Sequence, residues 1–230
     1  MPVRVGANKT AKPVPSQLSE LGRAFWSECK YRGGAKVFGE AEPADYLYQI
    51  REGAVRTCKQ FSDGRRQIGA FHLPGDIFGA EDGGVHRFTA EAIVNTTVWV
   101  AKRQSLFARL AKNDIAAANN VRSLVTRTLE HVENHLLLLG RQKSLEKVVA
   151  FLLEVDRRLG QPDVMVLPMG RRDIADYLGM TLETVSRSLS VLRDERILSF
   201  RGTNQREIVL HDRSKLVHRA TSAWHEELAQ

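Results

Sequence analysis

Residues 172–190, RDIADYLGMTLETVSRSLS, constrain this chain more than any other stretch. Ala175, Gly179 and Val185 stand in the spacing Ala-x3-Gly-x5-Val, and each has a steric reason. A small residue at 175 lets two helices cross closely. Glycine at 179 ends the first helix in a left-handed conformation without a Cβ penalty. Val185 is an apolar anchor for the second helix. Met180-Thr181 makes a short turn, and the Thr181 hydroxyl can cap the second helix. The pattern predicts a helix-turn-helix.

The second helix divides by face. Val185, Leu189 and Leu192 recur at i, i+4, i+7 and face a core. Glu183, Ser186, Arg187 and Ser190 recur at i, i+3, i+4, i+7 and share a polar face. That face has the chemistry that base edges of a major groove require. Arginine bonds guanine O6 and N7, glutamate accepts from cytosine N4, and serine serves either role. Leu182, at the helix start, can touch a thymine methyl. Base contacts are therefore expected from Leu182, Glu183, Ser186 and Arg187. An ordinary amphipathic helix with a solvated polar face explains the periodicity but not the Ala-Gly-Val spacing.

Beyond this motif, Ile197–Phe200 and Glu207–Leu210 read as short strands around the polar, glycine-containing loop 201–206. A helix-turn-helix followed by such a hairpin is a winged helix. Arg171, Thr181, Ser190, Arg201 and Arg206 are expected near phosphates, which position a protein without specifying sequence. Charge adds little to this reading. The net charge is +7, yet residues 141–230 carry 15 basic against 13 acidic side chains, and the first 17 residues contribute +3 through Arg4, Lys9 and Lys12.

The rest of the chain supplies two further units. With 230 residues, 43% of them hydrophobic, more than one domain is expected. From about Ala35 to Val100, short apolar alternations such as Tyr46–Ile50, Ala54–Cys58 and Gln67–Phe71 are separated by turn signals at 51–53, 62–64, 73–76 and 82–84. Strands at this spacing indicate an all-β barrel or jelly roll. A long helix follows over about Asn113–Leu139. Ile115, Arg122, Leu129 and Leu136 fall at heptad position a, and Ala118, Val125, Val132 and Leu139 at d. Seven of these eight are apolar, which favours a seam between two copies of the chain. The competing arrangement packs the helix on its own barrel. Gly140 reads as a C-cap and hinge. Ser144–Leu159 is a further amphipathic helix, with Leu145, Val148, Val149, Leu152 and Val155 inward, and Gln161-Pro162-Asp163 breaks the chain before the motif.

The expected fold class is α+β. A disordered tail spans 1–17, a jelly-roll barrel 18–112 (opening on a short helix over 18–25), a dimerisation helix 113–140 and a winged helix 141–230. No apolar run is long enough for a membrane span and the N-terminus has no signal-peptide core, so a cytoplasmic protein is expected.

In this order of units the chain resembles the CRP/FNR superfamily of bacterial transcription regulators over almost its whole length. Glu52-Gly53, Leu73-Pro74-Gly75-Asp76 and Phe78-Gly79 sit at that family's strand turns. Glu183-Thr184-Val185-Ser186-Arg187 is similar to the FNR/FixK branch, with its E-x-x-S-R. The resemblance implies a cytoplasmic homodimer on palindromes of the type TTGA…TCAA, half-sites about one helical turn apart. It also implies double-stranded DNA, a second copy and RNA polymerase as partners, and activation more than repression.

No effector site is expected. An iron–sulfur sensor needs an N-terminal cysteine cluster, and the chain has only Cys29 and Cys58. Cys58, on a strand, reads as a small core residue, and the reading helix carries Ser186 where a reactive cysteine stands in some relatives. A cyclic nucleotide needs a Gly-Glu pair and an Arg-Ser/Thr pair. Here Ala80 follows Gly79, Glu81 comes one place late, and Phe88 separates Arg87 from Thr89. His72 and His86 read as isolated structural residues, His131 and His135 as a solvated flank at c and g, and His211, His218 and His225 as too widely spaced to share an ion. Neither cofactor nor metal is expected. The resemblance then implies a FixK-like regulator, active without a ligand and controlled through synthesis, turnover or oxidation. The alternative is a ligand-gated regulator. A cupin-like enzyme would need clustered histidines, and a barrel-only regulatory subunit would leave the helix-turn-helix unexplained. No catalytic constellation is visible, so no enzyme is expected.

Overall fold

The structure, a computed structural model, describes residues 26–81, 84–105 and 115–227, with the side chains of 116–118, 120, 121, 123–125, 127 and 221–227 excepted. The expected tail and leading helix lie outside the described residues, as do the side chains of Ala118, Val125 and His225.

Among the described residues, eight antiparallel strands form the first unit: β1 (Ser27–Tyr31), β2 (Lys36–Phe38), β3 (Tyr46–Glu52), β4 (Val55–Gln60), β5 (Arg66–His72), β6 (Ile77–Phe78), β7 (Thr89–Ala92) and β8 (Thr96–Lys102). They make two four-stranded sheets, ordered β1-β8-β3-β6 and β2-β7-β4-β5, the two-sheet arrangement of a jelly roll. Ala90 and Ala92 of β7 are buried in alternation, while Val55 and Cys58 of β4 and Ile68 and Phe71 of β5 are buried three residues apart, with a register shift between Thr57 and Cys58. Gly53 makes the β3–β4 turn at φ +91°, where a Cβ would come within 2.5 Å of Thr96 Oγ1. No other residue fits there.

Helix α1 (Ile115–Gly140) follows the barrel. Two stripes on it behave differently. Ile115, Leu129, Val132 and Leu136 are exposed, Leu129 by 55% and Leu136 by 69%. His135 and Leu138 are buried instead, with His131 partly buried one turn earlier. The helix therefore packs on its own chain through one stripe and leaves the a/d stripe open. This corrects the solvated flank expected of the histidines. His135 lies flat on the Tyr177 ring, centroids 4.0 Å apart at 3°, and its Nε2 is 2.9 Å from the Tyr177 carbonyl. His131 Nδ1 meets Glu154 Oε1 at 3.2 Å. A heptad count ranks positions against one partner only, so it could not show a second contact face. Leu139 is half-buried, its Cδ2 3.8 Å from where a Cβ on Gly179 would lie. Gly140 is the last helical residue and lacks a left-handed φ, so it is no left-handed C-cap.

The remaining unit holds α2 (Ser144–Arg158), β9 (Met165–Val166), α3 (Arg171–Leu178), α4 (Leu182–Asp194), β10 (Leu198–Arg201), β11 (Glu207–Leu210) and α5 (Arg213–Glu227). Val148, Val149, Phe151, Leu152 and Val155 of α2 share one core with α3, α4, the strands and Leu216, while Leu145 is only partly buried. The sequence reading missed β9, which pairs antiparallel with β11 and makes the wing sheet three-stranded, β10-β11-β9. Two residues are too few for any alternation to register.

Candidate nucleic-acid interface

The helix-turn-helix forms where the spacing placed it. Ala175 and Val185 are buried at the α3–α4 crossing, and Gly179 turns the chain at φ +63°. Thr181 is the N-cap of α4, its Oγ1 accepting from Thr184 N at 3.2 Å. Val185, Leu189 and Leu192 are all buried, each contributing roughly 1.5–3 kcal/mol to holding α4 on the domain.

Glu183 and Arg187 are exposed on the opposite face, with Ser186 half-buried between them. The Glu183 carboxyl is held below the usual carboxylate range, first by its own backbone N–H at the helix start and then by the Thr181 hydroxyl, with Arg172 and Arg187 adding positive charge nearby. It is therefore a ready acceptor at neutral pH. Leu182 and Ser190 are partly exposed at either side.

The residues expected near phosphates separate into two groups. Thr181 and Arg201 are exposed. Arg171 and Arg206 are tied into the wing. Arg171 lies 5.3 Å over the Phe200 ring and donates to Gln205. Arg206 Nη1 donates to the Pro168 carbonyl at 3.1 Å, and Leu167 N donates to the Arg206 carbonyl at 2.9 Å. These two arginines fasten the wing loop to the start of α3. Exposed Arg172, which sequence reasoning passed over, stands beside Arg171 at that helix start, where peptide dipoles favour an anion.

The Crp-like helix-turn-helix domain model matches residues 146–219, and the cyclic nucleotide-binding domain model matches residues 28–113. Over 217 residues the chain is 39% identical to the nitrogen fixation regulation protein FixK of Azorhizobium caulinodans, covering 92% of this chain and 84% of that protein. The chain belongs to the CRP/FNR superfamily, in its FixK-like branch. It is 40% identical over 173 residues to the transcriptional activatory protein AadR of Rhodopseudomonas palustris, spanning 74% of this chain and 72% of that protein. The solved structure of FixK2 from Bradyrhizobium japonicum matches with a TM-score of 0.78 at 52% identity, covering 84% of this chain and 96% of that one. As a CRP/FNR protein of this branch, the chain is a DNA-binding transcription regulator and not an enzyme.

A CRP/FNR barrel raises the question of a bound cyclic nucleotide. Inside the barrel, Phe38, Tyr48 and Phe78 are buried against one another, with centroids 5.2–6.0 Å apart. The His86 ring is buried and stacks on Phe38 at 3.5 Å. His86 Nδ1 also engages the Glu81 carboxylate at 3.0 Å, so the acid two places after Gly79 already has a partner. Arg87 is exposed. Gly79 lies against Tyr48, whose Cδ2 would be 2.8 Å from a Cβ there. Cys58 is buried, and burial pushes its thiol pKa up. A protonated, enclosed thiol is a poor redox sensor. Among the described residues no three His, Cys, Asp or Glu side chains group around a metal position, and no helix is long and apolar enough to cross a membrane.

Proposed function

We propose that the chain acts in the cytoplasm as a homodimer that activates transcription from TTGA…TCAA-type palindromes without a bound cofactor. The reading rests above all on one exposed face of a capped helix that carries Glu183, Ser186 and Arg187. Leu182, Glu183, Ser186 and Arg187 read bases. Thr181, Ser190 and Arg201 meet phosphates, and Arg171 and Arg206 bring the wing to the backbone through the contacts that tie them to it.

The open stripe of α1 supports the dimer. Leu129, Val132 and Leu136 are large apolar side chains facing solvent on a long helix, and a second copy would cover them. Ile115 continues the stripe, Ala118 and Val125 extend it by spacing, and Leu139 borders it. A two-fold along α1 would set two α4 helices for successive major-groove faces. The name of the relative AadR, a transcriptional activatory protein, supports activation, and an activator would take RNA polymerase as its further partner. The filled barrel and the engaged Glu81 support independence from a nucleotide. The match to the cyclic nucleotide-binding model keeps a ligand-gated regulator as the second reading.

Selection of duplexes from a random pool by the ligand-free protein tests the proposal. Enrichment of an inverted repeat of TTGA is expected. Enrichment of lone half-sites, or none without an added nucleotide, would contradict it.

A further inference from the structure

Helix α3 is shared by two partners. One face carries Ala175 against the reading helix, and the other faces β5 of the barrel. The second contact is unusually polar. Asp173 Oδ1 accepts from Arg56 Nη1 at 2.8 Å and from Arg66 Nη2 at 2.7 Å, and Arg66 also donates to Asp176 Oδ2 at 2.6 Å. Arg56 is held in turn by Glu91 Oε2 at 2.7 Å. The group therefore links β7, β4 and β5 to the first and second turns of α3. Its members are only 11–29% exposed, which limits screening by salt. Burial works against the Arg66 charge, yet Asp176 and Asp173 outweigh it and its pKa stands above the ordinary value.

The same helix is gripped once more at its C-terminal end. Tyr177 is buried, with its ring between Phe71 of the barrel at 5.0 Å, Phe151 of α2 at 5.8 Å and His135 of α1 at 4.0 Å. Its carbonyl accepts from His135 Nε2 at 2.9 Å and lies 3.4 Å from Gln67 Nε2. By contrast, the covalent link between α1 and the second unit is short. It passes through Gly140, which has open space around its Cα, and then residues 141–143. A chain joined only there could swivel.

We infer that Arg56, Arg66, Asp173 and Asp176 are positioning residues that clamp α3 to the barrel and so fix where the reading helix points. The clamp deepens the proposed function and rests on it. With no ligand to set the arrangement, built-in ion pairs between barrel and α3 set it. Pairs at fixed separation matter most when two α4 helices must meet two half-sites at once, because any swivel spreads their spacing.

The test uses the full-length protein and compares wild type with Arg66→Gln, with Asp176→Asn, and with the exchanged pair Arg66→Asp/Asp176→Arg. Two quantities are read. The first is backbone hydrogen exchange in β5, α3 and residues 140–143, without DNA. The second is the ratio of affinity for the palindrome to that for a single half-site. Both neutralising variants should exchange faster in those three segments. The affinity ratio should fall about tenfold, within the 5–150-fold range of ordinary coupling between sites, while half-site binding holds. The exchanged pair restores the 66–176 ion pair but sets a carboxylate at position 66 near Asp173, so it should recover part of both. Unchanged exchange overturns the clamp whatever the DNA result. A ratio that stays level or rises overturns its positioning role, even if melting temperature falls. Failure of wild type to prefer the palindrome is a separate outcome: it would sink the dimeric reading, and hydrogen exchange would still decide the clamp.

Discussion

Arg187 and Thr181 illustrate how much one side chain on α4 is asked to do. Arg187 is exposed on the polar face, free of any buried role. Arg187→Ala should cost about 1–3 kcal/mol on the specific duplex and leave weak, non-specific binding nearly intact. Titration against specific and random duplexes checks this, and equal losses on both would place the guanidinium on phosphate instead. Thr181 acts one level earlier, by starting the helix that carries the reading face. Removing its hydroxyl in Thr181→Ala leaves Thr184 N without its acceptor and should lower stability by about 1 kcal/mol. Urea unfolding measures it, and an unchanged midpoint would mean that solvent caps α4 equally well.

At the scale of elements, α1 and β5 carry predictions of different kinds. The open stripe of α1 makes Leu129→Lys a test of the seam. Two lysines facing each other across a two-fold should leave monomers, read by sedimentation, and a persistent dimer would refute the stripe as the interface. Strand β5 ends on His72, whose Nε2 is 3.2 Å from Thr57 Oγ1 and whose ring stacks on Phe78 at 4.8 Å. Burial holds its pKa down to about 4, with His131 and Arg158 opposing the charge further and Asp76 favouring it. The unfolded chain takes up this proton first, near pH 6.5, so stability is full above that pH and drains away as pH falls toward 4. Each unit of pH in this window removes at most about 1.4 kcal/mol through this one group. His72→Gln should flatten part of the fall in the urea midpoint between pH 7 and pH 5. His135, also held low by burial, accounts for a further part. An unflattened fall would remove His72 from the account.

These same elements show what a sequence can disclose. The Ala-Gly-Val spacing located the helix-turn-helix because each residue answers to a local steric demand within a few positions. Alternation disclosed the barrel strands, and the heptads disclosed a stripe that is open in the single chain. Contacts between units left no such trace. Arg66 and Asp176 are 110 positions apart, and His135 and Tyr177 are 42 apart, so no periodicity joins them. Their burial depends on how the barrel and the winged helix meet. Arg206 shows the same limit at short range, since nothing in the loop sequence tells that its guanidinium also donates to the Pro168 carbonyl.

For the whole molecule, α1 leaves an apolar stripe open, which the proposed dimer would cover, and α3 connects the barrel to the second helix of the helix-turn-helix. The proposed independence from a ligand draws on two observations among the described residues: Phe38, Tyr48, Phe78 and His86 pack together inside the barrel, and ion pairs hold α3. The most direct measurement is the affinity of purified, ligand-free protein for a TTGA…TCAA palindrome, beside a single half-site and a scrambled duplex at one salt concentration. Specific binding of proteins of this kind typically exceeds non-specific binding by roughly 10³-fold or more, and a preference of about that size for the palindrome is expected. Binding no tighter than to the scrambled duplex would contradict the account.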